Sequence, residues 1–122
     1  MKKAKIRWLG KTQKHDYPAA LSYLSLFLQP TVAKAVVEKL KRAGITEFAA
    51  KDIFRASTLP LLGNSNSHVE KYRQLVLLKE PLSPLLLCRD PAHCKLIIAD
   101  GYHRLCAVYT FDEDAVIPCQ II

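Results

Sequence analysis

Long hydrophobic runs are missing from this 122-residue chain. No apolar stretch approaches the ~18 residues that span a bilayer, so no membrane partner is expected. The start, Met1-Lys2-Lys3-Ala4-Lys5, is not followed by the hydrophobic segment of a signal peptide, and a cytoplasmic location is expected. No C-x-x-C pair is present: Cys88, Cys94, Cys106 and Cys119 stand apart, and with His93 and His103 they fit no standard zinc spacing. They read as reduced, mostly buried thiols, with Cys88 and Cys94 placed to face each other across an expected hairpin. No paired carboxylates suggest a nuclease-type metal site. Asp112-Glu113-Asp114 reads as a solvated acidic loop, and no bound metal is expected. Internal repeats, low-complexity segments and a linker between domains are absent too.

Acidic residues are also missing from residues 1–15, which hold Lys2, Lys3, Lys5, Arg7, Lys11 and Lys14. The formal net charge of +7 arises from 18 basic and 11 acidic residues, so removing those six leaves a nearly neutral body. A basic end of this kind can hold a phosphate backbone by counterion release, but a solvated terminus is the commoner outcome. DNA is therefore a weaker expectation than a small anionic ligand. Half the residues are apolar, enough for one small core.

The most informative stretch is Ala99-Asp100-Gly101-Tyr102-His103-Arg104-Leu105-Cys106-Ala107. Leu96-Ile97-Ile98 before it reads as a short buried strand, and Leu105, Ala107, Val108 and Phe111 after it have helical spacing. A strand, a tight turn at Asp100-Gly101 and a helix start aim free backbone N–H groups at an anion. His103 and Arg104 add a titratable ring and a planar cation to the opening turn. A helix dipole prefers negative charge there. Two cationic groups are thus better explained by a negatively charged partner. The plainer reading is a surface turn with Asp100 as N-cap and both side chains in water.

Along the chain, Ile6, Trp8 and Leu9 suggest a short packed segment. Asp16 before Tyr17-Pro18 reads as a helix cap, and the apolar residues from Leu21 to Leu28 suggest a strongly buried helix. A second helix is expected over 31–43, with Val32, Ala35, Val36 and Leu40 on one face and Gly44 as the stop. The apolar spacing over 47–56 predicts a strand. A polar loop with Asn64, Asn66, Ser67 and His68 follows, and Ser67 with Glu70 has capping-box spacing for a helix from His68 to Leu78. Two prolines, Pro81 and Pro84, end that helix. Strands are expected at 85–88, 95–99 and 116–122, with a helix over 102–109. This order is α+β, a small mixed sheet with flanking helices.

Asp-Gly-Tyr-His-Arg followed by a small-residue helix resembles the ParB/sulfiredoxin superfamily. In that superfamily the turn and helix start bind nucleotide phosphates. By element order the resemblance covers about residues 50–122. It implies a ParB/sulfiredoxin-like domain over 46–122, preceded by a basic segment and helical pair over 1–45 packed on the core. Tyr102 stands where sulfiredoxins carry their nucleophilic cysteine, so that chemistry is not implied, and the Arg-Arg of CTP-binding partition proteins is absent. The resemblance to the family's free serine kinases rests on Asp100, Gly101 and Arg104. The superfamily resemblance as a whole implies ATP, ADP or CTP with Mg²⁺, held by Gly101, Tyr102, His103 and Arg104, with Asn64, Asn66, Ser67 and His68 as the second wall. Asp100 and His103 are the candidate catalytic groups for phosphoryl transfer or hydrolysis. Glu70 is the nearest match to the kinases' glutamate, and a capping role argues against it. A non-catalytic nucleotide switch, or a DNA-binding or homodimeric ParB-like module, is the alternative. The chain lacks room for the helix-turn-helix domain that reads DNA sequence in such proteins.

Overall fold

The computed structural model describes residues 5–122, so Lys2 and Lys3 of the basic start lie outside the described residues. The elements run α1 (Asp16–Leu24), α2 (Pro30–Arg42), β1 (Thr46–Ala49), α3 (Ala50–Ser57), α4 (Ser67–Leu77), β2 (Leu85–Asp90), β3 (Lys95–Asp100), α5 (Tyr102–Phe111) and β4 (Val116–Ile121). The fold is α+β. One four-stranded mixed sheet has the order β1-β4-β2-β3. β4 pairs antiparallel with β1 and parallel with β2, and β2 forms an antiparallel hairpin with β3.

Strand alternation divides the core between two faces of this sheet. Leu85, Leu87, Ile98, Ile117 and Cys119 pack with Ile53 of α3, Val76 of α4 and Leu105 and Val108 of α5. Leu86, Cys88 and Ala99 turn to the opposite face and pack with Ala20 and Leu24 of α1 and Ala33, Val37 and Leu40 of α2. The sheet is therefore buried on both sides at its centre, which explains why β2 begins as an unbroken apolar run. The N-terminal segment is tied down as well: Leu9 N–H donates to the Leu82 carbonyl at 2.8 Å, and Leu82 N–H donates to Arg7 at 2.9 Å. Ile6 and Trp8 pack on the core beside this bridge.

Four local expectations are corrected. The strand over 47–56 is a strand only to Ala49, after which α3 begins. Ala50, Ile53 and Ser57 are its buried positions, a helical stripe that the short apolar run disguised. Its first donors are taken by the chain ahead of β4: Ala50 N–H bonds Ala115 at 2.8 Å and Lys51 N–H bonds Glu113 at 2.9 Å.

The first helix stops at Leu24 and is not buried through Leu28, for Leu26 is 81% and Phe27 49% exposed. Tight turn bonds from Leu26 to Tyr23 and from Phe27 to Leu24 close it early. On α2 the buried stripe is Ala33, Val37 and Leu40, while Val32 and Ala35 face outward. Cys88 and Cys94 do not face each other: Cys88 is buried opposite Ile97, and Cys94 lies exposed in the hairpin turn.

Candidate phosphate site at two helix starts

β3 runs into α5 through Gly101, whose φ of +107° is open to glycine and strained for other residues. A Cβ at this position would meet Leu85 Cγ at 2.7 Å and Arg104 Nη2 at 2.9 Å, so the turn is closed to any side chain. Gly101 is also the N-cap, and no side chain caps α5. The Leu105 N–H bonds back to the Gly101 carbonyl at 2.9 Å, which leaves the amides of Tyr102, His103 and Arg104 as the helix's orphan donors.

The start of α4 is built differently. Asn66 is its cap, accepting from His68 N–H at 3.0 Å and Val69 N–H at 3.2 Å. The expected capping box of Ser67 and Glu70 therefore does not form. Glu70 instead accepts from Gln74 at 2.7 Å and Arg73 at 3.1 Å, and these bonds hold its carboxyl below the ordinary range.

The two helices lie side by side with their starts together. His68 and His103 have ring centroids 4.9 Å apart. Val69 packs with Cys106 and Ala107 one turn on, and Arg73 Nε donates to Thr110 Oγ1 at 3.0 Å a turn further. This sequence of contacts makes α4 and α5 parallel, so their positive dipole ends adjoin. Partial burial and the neighbouring His68 both push the His103 ring below its usual pKa. Tyr102 lies beside His103, with centroids 5.5 Å apart, and its hydroxyl donates to the Pro60 carbonyl. It therefore ties the loop ahead of α4 to the start of α5.

Arg104 does not face this surface. Its side chain is turned inward, and the residue is 5% exposed. Nη2 donates to Asp100 at 3.1 Å, to the Pro84 carbonyl at 3.3 Å and to Asp16 at 3.5 Å. Asp16, expected as a cap, is the first residue of α1 and 2% exposed. It accepts from Ser83 Oγ at 2.5 Å, and His15 Nε2 lies 3.2 Å from its other oxygen. The cation thus joins the starts of α1 and α5 beneath the surface. Burial pushes the Asp100 carboxyl above its ordinary pKa, Asp16 adding to the effect and Arg104 opposing it. Ser83, Asp16 and His15 do not make a nucleophile triad, because Asp16 stands between the hydroxyl and the ring.

Of the expected residues, the fold brings together Gly101, Tyr102, His103 and His68. Asn66 sits beside them with its oxygen committed to the cap, while Asn64 and Ser67 are exposed nearby in sequence. Asp100, half-buried, pairs separately with the buried Arg104. Asp16 and Ser83 belong to that pair's surroundings, and their part in it was hidden because they lie 88 and 21 residues from Arg104. Among the described residues no group of three or more His, Cys, Asp or Glu side chains is arranged to hold a metal ion. Compared with protein-family models, with curated proteins and with solved structures, the chain matches none.

Proposed function

We propose that the chain binds a phosphorylated small molecule, most readily a nucleotide, at the adjoining starts of α4 and α5. The observation that carries this reading is the approach of His68 and His103 to 4.9 Å, beside a helix start that no side chain caps. Two imidazoles at one spot repel each other when charged, and an anion between them removes that cost. Backbone donors and parallel helix dipoles add to the attraction. Strand, Asp-Gly-Tyr-His-Arg turn and helix are in keeping with the likeness to the ParB/sulfiredoxin superfamily.

Binding without turnover is preferred to phosphoryl transfer, because the Asp100 carboxylate is engaged by Arg104 and is a poor candidate for Mg²⁺. Arg104 acts in this reading as a positioning residue for the turn. A cytoplasmic setting accords with four free cysteines, and no helix among the described residues is long and apolar enough to cross a membrane.

Thermal unfolding with sulfate, ATP, ADP, CTP or GTP, with and without Mg²⁺, tests the proposal. A ligand at a hundredfold excess over its Kd adds about 2.7 kcal/mol to the stability of the native state. The expected result is a rise in Tm with one of these anions that His68→Gln/His103→Gln cuts to about half, as tenfold weaker binding requires. A wild-type protein indifferent to all of them would overturn the reading. Release of nucleoside diphosphate or inorganic phosphate in step with substrate would instead show an enzyme.

A further inference from the structure

At the opposite end of β3 from the histidine pair, the sheet face that carries α3 is left partly uncovered. A cavity of about 450 Å³ lies there, between α3 and the β2–β3 hairpin. Its walls come from all four strands and one helix: Phe48, Ile53, Leu87, Leu96 and Ile121 supply apolar surface. The volume falls within the range of small-molecule sites, which are mostly apolar with a few placed polar groups. The walls are also built from rigid elements, since Leu87 is fully buried and Ile53 is 2% exposed.

The charged residues around this cavity are not balanced. Asp90 is engaged by His93, whose Nδ1 lies 2.9 Å from Oδ2, and Asp52 is paired with Arg55 at 3.7 Å. Arg89 and Lys95, which line the same cavity, make no side-chain hydrogen bond or ion pair among the described residues. They stand opposite each other's neighbours in the hairpin register, where Arg89 pairs with Leu96 and Asp90 with Lys95. Two exposed, unpaired cations at the rim of a mostly apolar hollow match a ligand with a compact apolar body and one anionic head. A neutral apolar ligand would leave both cations without a partner, and a cationic one would meet repulsion.

We infer that this cavity is a second binding site, for a small amphipathic carboxylate with an alkyl or aryl body, distinct from the phosphate site at the helix starts. The body lies against Phe48, Leu96 and Ile121, and the carboxylate meets Arg89 and Lys95. Arg89 offers the planar fork that suits a carboxylate.

The test uses 1-anilinonaphthalene-8-sulfonate, an aryl anion that fluoresces on leaving water, with decanoate, decanol and decylamine as competitors. Saturable one-to-one binding is expected, with displacement by decanoate well ahead of decanol and decylamine. Ala56→Trp, a change at an exposed cavity-lining residue of α3, fills the hollow and abolishes the signal. Arg89→Gln/Lys95→Gln weakens the dye and decanoate roughly tenfold, the scale of a charge-assisted hydrogen bond. His68→Gln/His103→Gln leaves this binding untouched, which separates the site from the one proposed above. Circular dichroism confirms that each variant is folded, since the dye also binds loosened states. Unsaturable binding, equal displacement by decanol, or full binding in folded Ala56→Trp would overturn the inference.

Discussion

The starts of α4 and α5 lie side by side and solve the same problem in opposite ways. At α4 a side chain, Asn66, takes two backbone donors, and the helix start is complete without help from outside. At α5 the cap is Gly101, which has nothing to offer, and the nearest cation is pulled under the surface by Asp16 and Asp100. One start is made for stability. The other trades a side-chain cap for a tight turn that keeps its donors and His103 available. The contrast shows that a cationic residue in a helix's first turn need not serve a ligand directly, for Arg104 holds the turn in place from below.

That contrast can be broken most severely at Arg104. Arg104→Met removes the partner of the buried Asp16 carboxylate and should cost about 3–5 kcal/mol in denaturant unfolding. If it cost less than ~1 kcal/mol, the buried network would not be what anchors the turn. Gly101→Ala forces a side chain into left-handed backbone and against Leu85, and about 2–4 kcal/mol of lost stability is expected. Asn66→Ala removes the cap of α4 and should cost about 1 kcal/mol. An equal cost from Tyr102→Ala would not be informative, since it removes packing as well.

His68→Gln/His103→Gln sharpens the comparison instead. It should change stability by no more than ~0.5 kcal/mol, as surface substitutions do, while weakening sulfate binding roughly tenfold in titration calorimetry.

The smallest expected effect is on pH dependence. In the ligand-free protein the His103 pKa lies below its ordinary value of 6.5, so protonation favours the unfolded chain. Its contribution to stability is complete above the unfolded pKa and declines as pH falls through it toward the folded one. An anion beside the ring reverses this by favouring the charged form. Sulfate keeps its charge over this range, so it should raise Tm more at pH 5.5 than at pH 7.5. The His68→Gln/His103→Gln protein should show a flat response.

Much of this arrangement could be read from local sequence. The strand–turn–helix at 96–111, the hairpin and the helix after the polar loop all follow from spacing and breakers within about ten residues. The approach of His68 to His103 does not follow from local spacing; only the likeness to the ParB/sulfiredoxin superfamily put the loop before α4 opposite the turn. What local sequence could not supply was direction. Arg104 at a helix start looks the same whether it faces water or the core, and the deciding carboxylate, Asp16, is 88 residues away. The strand expected over 47–56 failed for a related reason: Phe48 and Ala50 alternate as in a strand, while Ala50, Ile53 and Phe54 have helical spacing, and the short run mixes the two. The switch to α3 is fixed by bonds to Glu113 and Ala115, more than sixty residues on. On α2 the apolar residues are numerous enough to define two adjacent stripes, and packing against the sheet selects between them.

The order of the sheet has a bearing on how the chain is made. β4 is the last of the four strands to be synthesised, yet it lies between β1 and β2 and is the sole link joining β1 to the hairpin. Until its residues are available, β1 has no neighbour, α3 lacks the loop that receives its first amides, and Gln120 cannot bond Tyr17 at 2.6 Å or Ala43 at 2.6 Å. What β1 and the first turn of α3 contribute must wait for that strand, at the loop-closure cost that makes such topologies slow to fold. During this interval the hairpin can already receive α1 and α2, whereas β1 and the inner edge of β2 are left without a pairing strand.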